Sequence, residues 1–151
     1  GPSVMKGYLN KPEETARAIQ DGWFHTGDMG YKTEDNEIIM TGRIKDVINI
    51  AGIKVAPFEI EAVLNEHPEV NEAAVIGVEN DMYGEVVKAF VKPMNGAVRD
   101  ERDLIVYLQK KLMNFQVPKE IVFLDEFPRN NMGKIDKKAL REFPKSELSE
   151  R

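Results

Sequence analysis

The sequence predicts an α+β fold rather than a wound parallel sheet, and three observations predict it. Two β-branched runs, 70–78 (VNEAAVIGV) and 85–91 (EVVKAFV), follow each other directly, with Gly84 in the connection. Helical patterns at 57–66 and 103–113 lie among neighbouring strands instead of alternating with each one. Periodic apolar positions are concentrated between residues 46 and 142, which places a single core there. The first 40 or so residues carry few such positions, several glycines and one short helix, so that stretch can hardly bury a core of its own.

In order along the chain, 11–20 (KPEETARAIQ) reads as a short helix. Pro12 suits its first turn, Glu13 and Glu14 favour its positive end, and Gly22 follows it. Trp23 and Phe24 are expected as packing residues, and HTGDMG as a loop. Glu34-Asp35-Asn36 is a turn before a strand at 37–41, with Asn36 tolerating a left-handed conformation. A strand pair follows at 46–50 and 54–55, linked by Ala51-Gly52-Ile53. Pro57 opens a helix whose stripe is Ile60, Val63 and Leu64. Asp100 caps the helix that carries Leu104, Leu108 and Leu112. A strand at 120–124 and a short helix at 136–142 complete the pattern, and the charged tail after Pro144 is expected to fray.

Composition removes several classes of function. The chain has 151 residues, 42% hydrophobic and 31% charged, which fits a soluble globular domain, or a small domain plus a piece of another. A net charge of −5 gives no reason for nonspecific grip on nucleic acid. No cysteine is present, which excludes disulfides, thiolate metal sites and cysteine nucleophiles. His25 and His67 stand far apart without a second ligand at metal spacing, so no metal site is expected and both read as structural. No apolar run approaches the roughly 18 residues of a membrane span, and nothing resembles a signal peptide. A cytoplasmic setting is expected.

Three motifs can carry chemistry. In Thr26-Gly27-Asp28 the carboxylate could accept two hydrogen bonds from the vicinal hydroxyls of a ribose, or could simply bond its own turn. In Arg43-Ile44-Lys45-Asp46 a strand would put both cations on one face, suiting a phosphate ligand or an ordinary solvated face. Gly133-Lys134 is not a phosphate loop of the G-x-x-x-x-G-K-[ST] type, because Pro128 and Ile135 stand at the required glycine and hydroxyl positions. What remains is a lysine on a flexible polar loop, able to neutralise phosphate or carboxylate oxygens or to be one more surface cation.

Together these segments resemble the C-terminal part of the adenylate-forming superfamily: acyl-CoA synthetases, peptide-synthetase adenylation domains and beetle luciferases. GYLNKPEET, DGWFHTGDMG, GRIKD, AGIKVAPFEIE, EAAVIGV, YGEVVKAFV and PRNNMGKI occur in family order across nearly the whole chain. The resemblance implies a small C-terminal domain with a short antiparallel hairpin and a three-stranded sheet packed by helices. It also implies a two-step reaction. A carboxylate attacks the α-phosphate of ATP to give an acyl-adenylate and pyrophosphate, then the thiol of CoA displaces AMP. By the same resemblance, Asp28 and Arg43 bind nucleotide, Lys45 is the hinge, and Gly52 lines the pantetheine tunnel. Lys54 would orient CoA phosphates, and Lys134 contacts substrate oxygens during adenylation.

VAPFEIE favours CoA ligases over peptide-synthetase domains, and Asn49 replaces a lysine of luciferases. No phosphate loop or acid pocket is present, so residues 1–44 are expected to be the end of a large N-terminal domain and 45–151 the mobile C-terminal domain. The implied partners are that N-terminal domain, a carboxylic acid, ATP with Mg2+ held by the N-terminal domain, and CoA. The chain alone is expected to be inactive. An adenylation domain serving a carrier protein and a non-catalytic binding module are the alternatives.

Overall fold

The computed structural model describes residues 1–97 and 99–143; the tail after Pro144 lies outside the described residues. The chain divides into two compact units, Gly1–Lys45 and Asp46–Arg151.

The first unit is made of a helix and two ribbons. Helix α1 (Pro12–Ala18) starts on a proline, and the Thr15 hydroxyl donates back to the Lys11 carbonyl at 2.8 Å. Strands β1 (Ile19–Gln20) and β2 (Trp23–Phe24) pair antiparallel. Their link, Asp21-Gly22, has φ of 50° and 79°, the left-handed pair that a tight hairpin needs. Strands β3 (Asp28–Lys32) and β4 (Ile38–Arg43) form the second ribbon, with a bulge at Met29/Gly30. Asn36 closes their connection at φ 65°. None of residues 1–45 is buried. Trp23 is 76% exposed and Phe24 38%, so neither packs as expected within the described residues.

Two sequence expectations need correction here. The HTGDMG segment is not all loop: from Asp28 onward it is strand, because pairing with β4 overrides the low strand preference of its glycines. Lys45 does not share a strand face with Arg43. The Ile44 amide turns in to donate to the Gly27 carbonyl at 2.9 Å, and Ile44–Asp46 becomes a 3₁₀ turn. Alternation of side chains therefore ends at Arg43.

The second unit is built on β8 (Gly84–Pro93). Strand β7 (Val70–Asn80) pairs antiparallel along one edge of β8, as the expected strand pair. The hairpin β5 (Ile48–Ile50) and β6 (Ile53–Val55) joins β8 through Ile50 opposite Gly84. Farther along β8, strand β9 (Glu120–Phe123) pairs in parallel, with Lys88 opposite Glu120. The result is one five-stranded sheet in which the expected hairpin extends the expected three strands.

Alternation along β7 and β8 feeds two clusters. Val75, Val87, Ala89 and Val91 meet Ile60 and Leu64 of α2 (Pro57–Asn65) and Leu104 and Leu108 of α3 (Glu101–Gln109). Ala74, Ile76 and Phe90 meet Leu124, Phe127 and Leu140 of α4 (Lys137–Arg141). Each fully buried aliphatic side chain contributes about 1.5–3 kcal/mol by leaving water. Asp100 caps α3, accepting from the Arg102 and Asp103 amides at 2.9 and 3.2 Å. Asp136 does the same for α4. His67 is buried, with Nδ1 accepting from the Glu69 amide and Nε2 3.3 Å from Asp103. Both ring nitrogens are satisfied, which fits the structural reading of that residue.

Candidate functional site

The β3–β4 register sets Asp28 opposite Arg43, and Arg43 Nε lies 3.1 Å from Asp28 Oδ1. The approach to the carboxylate is shaped by Thr26 and Gly27. The Thr26 hydroxyl accepts from the Asp28 amide at 3.1 Å, and Gly27 takes φ +75°, which a side chain would strain. A concavity of about 310 Å³ opens beside this pair, lined by Thr26, Gly27, Arg43, Ile44 and Lys45. The pair is exposed enough (53% and 29%) that its own attraction adds little to folding, on the order of 0–1 kcal/mol. A carboxylate and a guanidinium held together beside an open concavity can accept from two hydroxyls and donate to phosphate oxygens. Lys45 lies at the rim of the same concavity, and its ammonium group makes no ion pair with a described residue.

The second candidate element is the β5–β6 hairpin. Its reversal is two residues long, since Ile50 pairs with Ile53. Ala51 and Gly52 have φ of 49° and 90°. A Cβ built on Gly52 would meet nothing within 4 Å, so glycine is required there by backbone angle and not by crowding inside this chain. Lys54 stands opposite Asn49 in the ladder, exposed and without an ion-pair partner among the described residues. Next to the tip lies an apolar concavity of about 330 Å³, bounded by Ile50, Ala51, Ile53, Tyr83, Phe115 and Lys119 among others. Tyr83 opens the YGEVVKAFV segment without a site role attached to it, and the sequence motifs do not mark Phe115 or Lys119. Tyr83 reaches the hairpin because the turn before β8 lies against it, and Lys119 because its amide donates to the Val87 carbonyl of β8, placements with no local signal.

Lys134 sits in a third element, and the structure corrects the expectation of a flexible loop. Arg129 and Ile135 form a bridge. Within it the Asn130 amide donates to the Lys134 carbonyl at 2.8 Å and the Gly133 amide to the Asn130 carbonyl at 2.9 Å. The Asn130 side-chain oxygen accepts from Met132 and Lys134 amides at 2.9 and 3.1 Å. Arg129 donates to the Gly133 carbonyl at 3.0 Å while its other nitrogen reaches Glu72 at 2.5 Å. The backbone is thus held on several sides and only the lysine side chain is loose. Its ammonium group pairs with none of the described residues, which leaves its full charge available to a ligand.

The structure pairs Asp28 with Arg43, sets Arg43 and Lys45 on one concavity, and places Gly52 with Lys54 on one hairpin. Lys134 stands on its own turn. Among the described residues no group of three or more His, Asp or Glu side chains could hold a metal ion. No helix among them is long and apolar enough to cross a membrane.

Comparison with known proteins adds an independent line. Residues 59–134 match the model of the AMP-binding enzyme C-terminal domain. The chain is 46% identical over 148 residues to a 2-succinylbenzoate–CoA ligase of Geobacillus kaustophilus, covering 97% of this chain and 30% of that protein. It is 42% identical over 149 residues to a probable CoA ligase of Humulus lupulus, covering 99% of this chain and 28% of that one. Among solved structures, ATP-bound MatB from Rhodopseudomonas palustris superposes with a TM-score of 0.89 at 42% identity, over 94% of this chain and 28% of that one. The chain therefore spans less than a third of the length of these relatives.

Proposed function

Because the chain belongs to the AMP-binding enzyme C-terminal domain family, and so to the adenylate-forming enzymes, we propose that it is the C-terminal part of an ATP-dependent carboxylate–CoA ligase. The observation that carries the nucleotide half of this reading is the Asp28–Arg43 pair, 3.1 Å apart beside an open concavity. Its similarity to CoA ligases of a bacterium and a plant supports the acceptor being CoA.

In this reading residues 1–44 end a large N-terminal domain and 45–151 form a mobile domain that turns about Lys45. In the first step a carboxylate oxygen of the acid bonds to the α-phosphorus of ATP and the bond to pyrophosphate breaks. Lys134 neutralises the oxygens on which charge gathers, and Asp28 and Arg43 hold the nucleotide. In the second step the sulfur of CoA bonds to the acyl carbon and AMP leaves. Gly52 lines the path of the narrow thiol arm, with Lys54 near the CoA phosphates. Mg2+ would enter with ATP and be held by the N-terminal domain. In this reading the enzyme works in the cytoplasm.

The test separates the two half-reactions in the full-length ligase. Lys134→Ala removes a charge-assisted contact to the transition state, so pyrophosphate release should fall roughly 10²–10³-fold. Thioester formation from supplied acyl-adenylate should stay near the wild-type rate. Gly52→Leu should show the reverse. Equal losses in both half-reactions for either variant would end this division of roles. The 151-residue chain alone, offered ATP and a mixture of short, long and aromatic acids, should release no pyrophosphate.

A further inference from the structure

The tip of the β5–β6 hairpin is exposed, yet three backbone amides at and beside it donate to groups outside the hairpin's backbone ladder. The Asn49 amide donates to Glu85 Oε2 at 2.6 Å. The Ala51 amide donates to the Tyr83 carbonyl at 2.7 Å. The Gly52 amide donates to the side-chain oxygen of Asn49 at 3.1 Å. Tyr83 is itself aimed by Asn80, whose side chain accepts from the Met82 and Tyr83 amides at 3.0 and 3.1 Å.

These bonds offset a local cost. Ala51 stands at φ 49°, a left-handed conformation that the Cβ of an L-residue disfavours. Left to its own sequence, Ala-Gly is a poor tight hairpin, because the favoured pairs begin with Asn, Asp or Gly. An unassisted tip of this composition would sample other turns. Here Asn49 closes the turn from within, and Glu85 and Tyr83 close it from the start of β8.

We propose that Asn49 and Glu85 are positioning residues for the thiol-transfer step, holding Gly52 in the single backbone shape that leaves the thiol path open. The proposal rests on the reading of Gly52 given above. Neither side chain touches the reacting atoms in this account; both act through the hairpin backbone. Asn49 fixes the Gly52 amide, and Glu85 fixes Asn49. The apolar concavity flanking the tip is bounded by Ile50, Ala51, Ile53 and Tyr83, of which Ala51 and Tyr83 take part in the lock through their backbones. A change in the lock therefore alters the wall as well as the glycine.

The test uses the full-length ligase and four variants. Asn49→Ala and Glu85→Ala delete the acceptors, whereas Asn49→Asp and Glu85→Gln keep an acceptor oxygen in place. In hydrogen exchange read by mass spectrometry, peptides spanning 47–54 should exchange about tenfold faster in each alanine variant, as expected for one lost hydrogen bond. Thioester formation from supplied acyl-adenylate should fall about tenfold in the alanine variants, with pyrophosphate release unchanged. The acceptor-keeping variants should recover most of both losses. Unchanged exchange in the alanine variants would overturn the lock. Faster exchange with both half-reactions intact would overturn the positioning role, and so would an equal fall in both half-reactions. Gly52→Leu, measured alongside, separates the two levels: if it leaves thioester formation intact, the thiol-path reading of Gly52 fails whatever the lock does. If it blocks that step while the alanine variants change nothing, the path stands and only the positioning proposal falls.

Discussion

The Gly52 hairpin and the Lys134 turn are two exposed reversals of the same unit, and each is closed by an asparagine side chain. Asn49 accepts from the Gly52 amide, and Asn130 accepts from the Met132 and Lys134 amides. Beyond that they differ in what they present and in what they are mounted on. The hairpin presents a residue without a side chain, and its Ile48 and Ile50 sink into the cluster under α2 and α3. The other turn presents a four-carbon cation, and its neighbour Ile135 packs on the cluster that holds α4. A rigid backbone serves both, for opposite reasons. In the function proposed above, one keeps a path clear for a ligand and the other aims a loose ammonium group at accumulating negative charge. The two clusters lie on opposite faces of one sheet, so the turns stand on different mounts that share strands β7 and β8.

The largest expected effect breaks the comparison by removing a mount. Leu64 of α2 is fully buried in the first cluster. Leu64→Ala should cost about 2–5 kcal/mol of unfolding free energy through lost burial and the cavity left behind. Chemical denaturation monitored at both turns should show them melting in one transition, because β7 and β8 contribute to both clusters. Two separated transitions would mean that the faces fold independently and that the two turns are uncoupled.

An intermediate effect sharpens it. Gly52 and Gly133 have φ of +90° and +79°, and a Cβ on either would meet nothing within 4 Å. Gly52→Ala and Gly133→Ala should therefore cost only the backbone term, roughly 1 kcal/mol each. Their stability losses should match while their kinetic effects diverge: thioester formation should drop for the first and pyrophosphate release for the second. Matching kinetic effects would show that the two turns do not serve separate steps.

Much of this was legible in the sequence where local chemistry and the fold agree. The stripe of Ile60 and Leu64, the cap Asp100 and the β-branched runs that became β7 and β8 are local signals, and each stands in the structure as a buried face, a capping bond or a strand. What could not be read depends on residues far apart in the chain. Strand β3 begins inside a glycine cluster because β4 is there to pair with it. Lys45 leaves the strand pattern because the Gly27 carbonyl captures the Ile44 amide. The shape of the Gly52 tip is set by Tyr83 and Glu85, over thirty positions away, and no hairpin dipeptide announces it. Of the candidate site residues, Asp28 and Arg43 were named for a shared ligand, but their direct contact follows only from the β3–β4 register.

The smallest expected effect on stability is at that contact, and it tests whether the first unit is a ligand surface or a structural one. The first 45 residues bury no side chain, in contrast to the second unit with its two clusters. The Asp28–Arg43 pair is too exposed to hold such a ribbon together, so Asp28→Asn should change unfolding free energy by no more than about 0.5 kcal/mol. If the carboxylate accepts hydrogen bonds from a ribose, losing its charge should weaken nucleotide binding by about 1.5–3 kcal/mol, so the KM for ATP in the full-length ligase should rise roughly tenfold or more. Arg43 would keep its own contact to the nucleotide, and Arg43→Lys should lose less than Asp28→Asn because an ammonium group still neutralises phosphate. A variant that melts several degrees lower with an unchanged KM would reverse the assignment: the pair would then be holding the β3–β4 ribbon, and the concavity beside it would be an accident of that ribbon's bulge.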